Sequence, residues 1–222
     1  MSKQRTIVLV LKRGKDFTIE DVNLITYHIR SKWKSKIKPR IIVLMDGVTK
    51  VYELVDYEIH PLTNDYPGTW SRMQLYSPIM DEFRPFLYVD LDTVIVQSLE
   101  NIFDLVKDES KFITLEDFWQ PKQLATGLVW FPDNLKKTGE VWTKWMDSNQ
   151  AFGFRMDNFL RQVVKPDLFW QQLTNTIYDF KPKKNVYLNE IPENANLICF
   201  HGKPRIRECS VEWVKNYVHE NT

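Results

Sequence analysis

The sequence has 222 residues, a length typical of one domain or of a domain with a small appendage. Its 30 Lys and Arg residues nearly balance 29 Asp and Glu residues, so the net charge is +1. This balance gives no support to a general nucleic-acid-binding protein. Only seven residues are glycine, and the sequence contains neither of the glycine-rich phosphate-loop motifs, G-x-G-x-x-G and G-x-x-x-x-G-K-[ST].

The N-terminal apolar run, residues 7–11, is too short for a signal peptide or a membrane span, and no later run is longer than a strand. The two cysteines, Cys199 and Cys209, are too few for a disulfide framework. The sequence therefore predicts reduced cysteines and a soluble, cytoplasmic protein without a transmembrane segment.

Apolar runs and helical periodicities alternate along the chain. The predicted strands are 6–11, 40–45, 57–62, 86–89, 111–115, 124–131 and 197–200, and the predicted helices are 19–33, 70–83, 135–146, 156–164 and 211–218. Thr18 and Thr69 are the predicted N-caps of the first two helices. This alternation predicts an α/β fold with a mixed, mostly parallel sheet flanked by helices. Such sheets bind ligands at the carboxyl ends of their strands.

Two carboxylates, Asp90 and Asp92, directly follow the predicted strand 86–89. In an extended chain, residues i and i+2 point to one side, with Cα atoms about 6–7 Å apart, so both carboxylates can reach one ion. Their hard oxygens suit Mg²⁺ or Mn²⁺. The alternative is a strand-end Asx turn with solvated aspartates. Apolar segments on both sides of the pair favour a functional site over a solvated loop.

Two protein families use such a D-x-D pair. Haloacid-dehalogenase-type phosphatases have D-x-D-x-[TV], which residues 90–94 fit, but their motif follows the first strand and needs a late acidic pair. Here about three predicted strands precede Asp90, and no suitable pair follows. The other family comprises metal-dependent glycosyltransferases of the GT-A fold.

Three further matches favour the glycosyltransferases. Residues 199–204 (CFHGKP) resemble the family's H-x-G-x-x-K-P ending. Residues 70–76 (WSRMQLY) resemble its R/K-x-x-x-L/W segment. Residues 124–128 (LATGL) and 156–160 (MDNFL) resemble its N-[AST]-G-V strand and the start of its D-Q-x-x-L helix.

In this order, and over nearly the whole chain, the series resembles the glycogenin and lipopolysaccharide galactosyltransferase family. Within that family it is most similar to the compact domains with which chlorella viruses glycosylate their capsid protein. The resemblance implies a single GT-A (Rossmann-like) domain, with a nucleotide-binding half over 1–92 and a sugar and acceptor half over 93–222. It also implies a UDP-sugar donor, Mn²⁺ or Mg²⁺, a glycan or glycoprotein acceptor, retention at the anomeric carbon, and no nucleic-acid partner. A further expectation is that the domain belongs to a longer multidomain chain.

The resemblance also implies roles for individual residues. The metal ligands would be Asp90, Asp92 and His201. The catalytic residues would be Arg72, Asp92 and Asp157. Donor-binding residues would be Leu11, Lys12, Arg13, Arg72, Tyr88, Asp90, Ala125, Gly127, Asp157, Asn158, Gly202 and Lys203, of which residues 11–13 are placed beside the uridine by fold analogy alone.

The sequence departs from the family pattern at three places that bear on the donor sugar. The His201–Lys203 spacing is short, Ala125 replaces an asparagine, and Asn158 replaces a glutamine. Four of these assignments also have a simpler alternative: a hydrogen-bonded core histidine at 201, a surface lysine at 203, an exposed helical arginine at 72 and a helix N-cap at 157. Trp119 either stacks on a sugar or packs against other side chains of the protein. The remaining functional alternatives are a Mg²⁺-dependent phosphatase using Asp90 and Asp92, and a non-catalytic carbohydrate-binding module.

Overall fold

A computed structural model describes residues 4–14, 16–134, 136–148, 150, 155–183 and 186–220. The strands are β1 (Thr6–Leu11), β2 (Arg40–Met45), β3 (Tyr52–Glu53), β4 (Glu58–Pro61), β5 (Phe86–Val89), β6 (Thr93–Ile95), β7 (Ile113–Glu116), β8 (Leu124–Phe131), β9 (Leu168–Phe169), β10 (Ile177–Asp179) and β11 (Leu197–Cys199). The α-helices are α1 (Ile19–Lys32), α2 (Glu100–Phe103), α3 (Lys136–Asp147), α4 (Met156–Val163), α5 (Trp170–Leu173) and α6 (Glu212–His219). Shorter 3₁₀-helices cover Gly68–Tyr76, Pro78–Phe83 and Ile206–Glu208.

The main sheet has eight strands in the order β3-β4-β2-β1-β5-β8-β7-β9. Six of them run in one direction, whereas β3 and β8 run in the opposite direction. The predicted α/β fold with a mostly parallel sheet is therefore confirmed. A second sheet, β10-β11-β6, pairs the strand after the D-x-D segment with the strand before His201. This pairing brings two distant parts of the sequence to the same edge of the fold.

Both faces of the main sheet are covered, as the uninterrupted apolar sequence of β1 predicts. Leu9 packs in one core cluster with residues of α1, and Val8 packs in another with residues of α3 and of the 3₁₀-helix Gly68–Tyr76. Burying one such side chain contributes about 1.5–3 kcal/mol. Helix α1 begins at the predicted N-cap, Thr18, whose backbone N–H donates to Asp21 Oδ2 at 2.7 Å.

The predicted helix over 70–83 is wrong in type and in continuity. Two 3₁₀-helices occupy this segment, separated at Ser77, and the first is capped by Pro67 rather than by Thr69. The cause of the break is Pro78, because a proline disfavours the helical conformation of the residue before it. Ser77 is accordingly extended, with φ −74° and ψ 155°.

A bidentate ion pair joins the neighbouring parallel strands β2 and β4. Arg40 donates from Nε to Glu58 Oε1 at 2.8 Å and from Nη2 to Glu58 Oε2 at 2.7 Å. The hydrogen bonds from Arg40 lower the pKa of Glu58 to about 2, against the opposing effect of partial burial. The pair therefore stabilises the fold above the ordinary pKa of glutamate, and that stabilisation is lost as the pH falls toward 2.

We expect Glu58→Gln to lower the free energy of unfolding by about 1–2 kcal/mol at pH 7, a value discounted for solvent screening. By pH 3 the difference from the unsubstituted protein should shrink to less than about half. Urea unfolding at the two pH values measures this, with the exposed Glu193→Gln as control. A difference that is equal at both pH values would contradict the assigned role of the pair.

Cys199 and Cys209 are both buried and free. No helix in the described ranges is long and apolar enough to cross a membrane.

Candidate active site

A cavity of about 730 Å³ lies at the carboxyl edge of the main sheet. The segments after β1, β5 and β7 line it, together with the start of β8, the 3₁₀-helix Gly68–Tyr76 and the start of α4. Because β8 runs antiparallel to β5, residues 124–127 extend past the end of β5. The cavity is therefore where a mostly parallel α/β sheet is expected to bind a ligand.

Most of the residues selected from the sequence line this cavity. They are Lys12, Arg13, Arg72, Asp90, Asp92, Ala125, Gly127, Asp157, His201 and Gly202. Four do not. Leu11 and Tyr88 are buried in the two core clusters, and Asn158 is exposed one residue beyond Asp157. Lys203 is 59% exposed, and its Nζ donates to both carboxylate oxygens of Glu208, at 2.8 and 2.9 Å.

The D-x-D segment is a turn, which corrects the extended geometry predicted for it. The backbone N–H of Thr93 donates to the carbonyl oxygen of Asp90 at 3.1 Å, and the Leu91 side chain is buried in the core. Two further backbone hydrogen bonds hold the turn. Asp90 donates to the Gly127 carbonyl at 2.9 Å, and the Asp92 carbonyl accepts from Phe200 at 2.7 Å. Both carboxylates nevertheless line the same cavity.

Each carboxylate of the turn is paired with an arginine. Arg72 Nη1 lies 2.8 Å from Asp90 Oδ2, and Arg205 Nη1 lies 3.0 Å from Asp92 Oδ2. Burial and the neighbouring Asp90 raise the pKa of Asp92 well above its ordinary value, although Arg205 acts in the opposite direction. The pKa of Arg72 is raised despite its burial, because of Asp90 and other nearby acidic groups. With its side chain 11% exposed, Arg72 is not an ordinary surface arginine.

His201 contributes a nitrogen with no hydrogen-bond partner among the described residues. Its Nε2 is buried without a hydrogen bond and lies 3.9 Å from Asp179 Oδ1. The ring packs beside Phe118, with centroids 5.6 Å apart. An added Cβ at Gly127 would stand only 3.2 Å from Leu115 Cδ1, whereas His201 Cε1 would be at an ordinary contact distance of 4.0 Å, so the glycine accommodates Leu115.

Asp157 is the second residue of α4, which Arg155 caps, so Asp157 is not the N-cap. Its Oδ1 accepts a hydrogen bond of 2.6 Å from the hydroxyl of the buried Thr126, on β8. The carboxylate is therefore oriented by the strand that also carries Ala125 and Gly127. Its position on the cavity wall suits it for binding hydroxyl groups.

The donor set of the cavity fits a divalent cation by its chemistry. Asp92 is a buried carboxylate beside a second carboxylate, and burial together with Asp90 raises the pKa of Asp92, an environment that a bound cation would stabilise. The unbonded nitrogen of His201 lines the same cavity, and a nitrogen donor suits Mn²⁺ better than Mg²⁺. Within the described ranges, however, no three His, Cys, Asp or Glu side chains are arranged to hold a metal ion.

The sequence interpretation missed two residues at this site. Arg205 lines the cavity, and its side chain is 17% exposed. It was missed because it lies directly after the matched H-G-K-P segment. Asp179, at the end of β10, has a side chain 4% exposed and lies beside His201. The nearby cation-rich sequence K-P-R could have suggested Arg205 as an alternative to Lys203. Asp179 ends a strand too short for its periodicity to be read from the sequence.

No family model matches the chain, and no curated protein matches it. Several solved structures resemble it. The apo structure of WbbM, a bifunctional glycosyltransferase, has a TM-score of 0.67 and 10% identity, over 100% of this chain and 50% of that one. The galactosyltransferase LgtC in complex with donor and acceptor sugar analogs has a TM-score of 0.61 and 12% identity, over 97% and 95%. The glycosyltransferase GlyE of Streptococcus pneumoniae TIGR4 has a TM-score of 0.62 and 12% identity, over 98% and 60%.

This chain therefore spans half the length of WbbM and nearly all of LgtC. With identities this low, the likeness concerns the fold. The order of strands, the cavity at their carboxyl edge and these structural neighbours together establish that the chain has the GT-A glycosyltransferase fold.

Proposed function

We propose that this protein is a metal-dependent glycosyltransferase that transfers a hexose from a UDP-sugar to a glycan or glycoprotein acceptor, with retention at the anomeric carbon. One observation carries the proposal. The D-x-D turn holds two carboxylates on the wall of a cavity, at the carboxyl edge of a GT-A sheet. The same cavity contains arginines for phosphate and an oriented carboxylate for sugar hydroxyls.

The nucleoside would bind beside the loop that follows β1. Lys12, Arg13 and Gly14 line the cavity there, and the Arg13 backbone N–H donates to Asp46 Oδ1 at 2.8 Å. The Lys12 side chain donates a hydrogen bond to Asp65. This bond raises the pKa of Lys12, so the Lys12 side chain is charged. Leu11 anchors the loop from the core. The base and ribose would thus meet a loop that is fixed at one end by a buried strand.

The diphosphate would lie over the D-x-D turn. Asp90, Asp92 and His201 would hold the metal ion. When bound, the ion neutralises charge that develops on the leaving diphosphate. Arg205 provides a guanidinium on the same wall, suited to bidentate binding of phosphate. We assign phosphate binding to Arg205 rather than to Lys203, because Glu208 binds the Lys203 ammonium group at the surface. Gly202, with φ +74°, lets the backbone pass close to this position.

The transferred sugar would occupy the space between Arg72 and α4. Arg72 is held by Asp90 and donates from Nε to the Thr69 carbonyl at 3.3 Å, so its position is defined. Asp157, fixed by Thr126, would accept hydrogen bonds from sugar hydroxyls. The family has an asparagine at the position of Ala125, so the alanine leaves the donor sugar with one fewer polar contact. The donor sugar can therefore differ from that of better-known family members.

Retention would follow if the acceptor hydroxyl attacks the anomeric carbon from the same face that the leaving diphosphate departs from. Asp90 and Asp92 are assigned to the metal and Asp157 to the sugar hydroxyls, so no carboxylate is assigned as a nucleophile. The leaving diphosphate would take the proton of the acceptor hydroxyl as the new bond forms. Arg72 and Arg205 would stabilise negative charge on that diphosphate during the transfer.

The test is release of UDP from a panel of UDP-hexoses, including UDP-glucose and UDP-galactose, measured with Mn²⁺ and with EDTA. We expect release from at least one donor with Mn²⁺ and essentially none with EDTA. p-Nitrophenyl phosphate with Mg²⁺ is the matched probe for the phosphatase alternative. Hydrolysis of that phosphate ester without any release of UDP would contradict the proposal.

Several finer predictions stay predictions. They are the division at residue 92, the kinship with viral capsid-glycosylating domains, the cytoplasmic location and membership of a longer chain. None of them changes the residues to which the transfer reaction is assigned.

A further inference from the structure

An exposed tryptophan stands at the edge of the cavity. Trp119 is 52% exposed and lines the cavity, unlike the other exposed large apolar side chains in the described ranges. Single exposed apolar residues are common and need no explanation by themselves. Trp119 differs from them because the surrounding residues hold it in place.

The edge of the indole ring is fixed by a buried carboxylate. Trp119 Nε1 donates to Asp179 Oδ2 at 2.7 Å and to the Lys181 carbonyl at 3.2 Å. The other oxygen of Asp179 accepts from the Lys181 backbone N–H at 2.9 Å. Two hydrogen bonds therefore hold the indole N–H, one to a carboxylate oxygen and one to a backbone carbonyl. The ring is therefore anchored by its polar edge, while more than half of its surface stays accessible.

The backbone that carries Trp119 is fixed as well. Asp117 Oδ1 accepts from the backbone N–H groups of Trp119 and Gln120, at 2.8 and 2.9 Å. The second oxygen of Asp117 pairs with Arg161, on α4. Arg161 in turn donates to the Leu124 carbonyl at 2.9 Å, at the start of β8. An aromatic ring held at both its backbone and its edge loses little conformational entropy when a ligand covers its face.

The position of Trp119 in the sheet assigns it to one end of the cavity. The loop after β1 and the D-x-D turn after β5 follow adjacent strands, and β7, which leads to Trp119, lies two strands beyond β5. Neighbouring strands are about 4.8 Å apart. Trp119 is thus on the far side of the D-x-D turn from the proposed nucleoside site, where the transferred sugar and its acceptor would meet.

We propose that Trp119 is the stacking platform for the acceptor, and that the acceptor is a pyranose sugar of a glycan. This inference rests on the proposed function. The C–H face of a pyranose ring is apolar and its rim of hydroxyl groups is polar, so a fixed aromatic face matches it in shape and polarity. Phe118, in the same loop, and His201, whose ring lies beside Phe118, line the same cavity as Trp119.

The test is saturation-transfer difference NMR with methyl β-D-galactopyranoside and methyl β-D-glucopyranoside as probes, in the presence of UDP and Mn²⁺. We expect at least one probe to bind the unsubstituted protein. Trp119→Ala should weaken that binding about tenfold, and Trp119→Phe, which keeps an aromatic face, should weaken it less than about threefold. Tyr52→Ala removes an exposed ring outside the cavity and should leave the binding unchanged.

The UDP affinity of each variant, measured separately by thermal shift, distinguishes acceptor binding from damage to the donor site. If neither glycoside binds, or if Trp119→Ala binds both as well as the unsubstituted protein does, the inference is wrong. Loss of UDP affinity in Trp119→Ala would also overturn it, by placing the ring at the donor. Failure of the proposed function has a different signature, because glycosides would then bind while no UDP-hexose releases UDP.

Discussion

Replacing Asp92 by asparagine is expected to lower kcat/KM for the sugar donor about 10³-fold. The reason is that Asp92 is the more buried carboxylate of the turn, and it would hold the metal that stabilises the leaving diphosphate. Such charge stabilisation supplies several kcal/mol, and each 1.36 kcal/mol of barrier changes the rate tenfold. The measurement is the rate of UDP release as a function of donor and Mn²⁺ concentration.

The same substitution should not unfold the protein. Because burial and Asp90 raise the pKa of Asp92, its ionised form is costly in the folded state, and a neutral side chain of the same shape avoids that cost. Loss of the ion pair with Arg205 acts in the opposite direction, so we expect the thermal melting point without metal to change little. Asp133→Asn, at an exposed position outside the cavity, is the control and should retain full activity. Full activity in Asp92→Asn would refute the metal assignment.

Replacing Arg205 by alanine is expected to weaken UDP binding about 30-fold in the presence of Mn²⁺. Hydrogen bonds from a guanidinium to a charged acceptor contribute about 1.5–3 kcal/mol, and 1.4 kcal/mol corresponds to a tenfold change in affinity. Lys203→Ala removes a cation two residues away, yet it should change UDP affinity by less than about threefold, because Glu208 binds that ammonium group outside the cavity. Comparing the two variants shows whether UDP affinity depends on a cation inside the cavity or on any positive charge nearby.

Arg205→Ala also leaves Asp92 without its ion-pair partner, so the variant should melt at a lower temperature than the unsubstituted protein. Arg205→Lys keeps the charge and tests affinity in a better-folded background. It should bind UDP with an affinity between those of the alanine variant and the unsubstituted protein, since lysine lacks the planar fork of arginine. A larger loss of affinity in Lys203→Ala than in Arg205→Ala would return phosphate binding to Lys203.

The main strands could be predicted from sequence because their signals are local. β1, β2, β5 and β8 have the predicted bounds, since each is mostly apolar and almost entirely buried. The short strands β3, β9 and β10 were not predicted: they contain two or three residues, too few for a periodicity. The helix predicted over 70–83 shows a further limit, because apolar spacing does not separate two 3₁₀-helices from one α-helix.

The candidate site was predictable where a motif ends a buried strand. Asp90 and Asp92 lie on the cavity wall because β5 ends immediately before them. The choice between Lys203 and Arg205 depends instead on which side chain the loop after β11 turns inward. That direction is set by contacts with Asp16 and Phe17, which are remote in sequence. The same holds for the anchor of Trp119, which comes from β10.

The most direct test of the central claim is calorimetric titration of the unsubstituted protein with UDP, in the presence of Mn²⁺ and again with EDTA. If the residues of the D-x-D turn hold a metal ion that stabilises the bound diphosphate, UDP should bind with 1:1 stoichiometry when Mn²⁺ is present, and at least about tenfold more weakly with EDTA. No binding of UDP, or equal affinity under both conditions, would contradict the account.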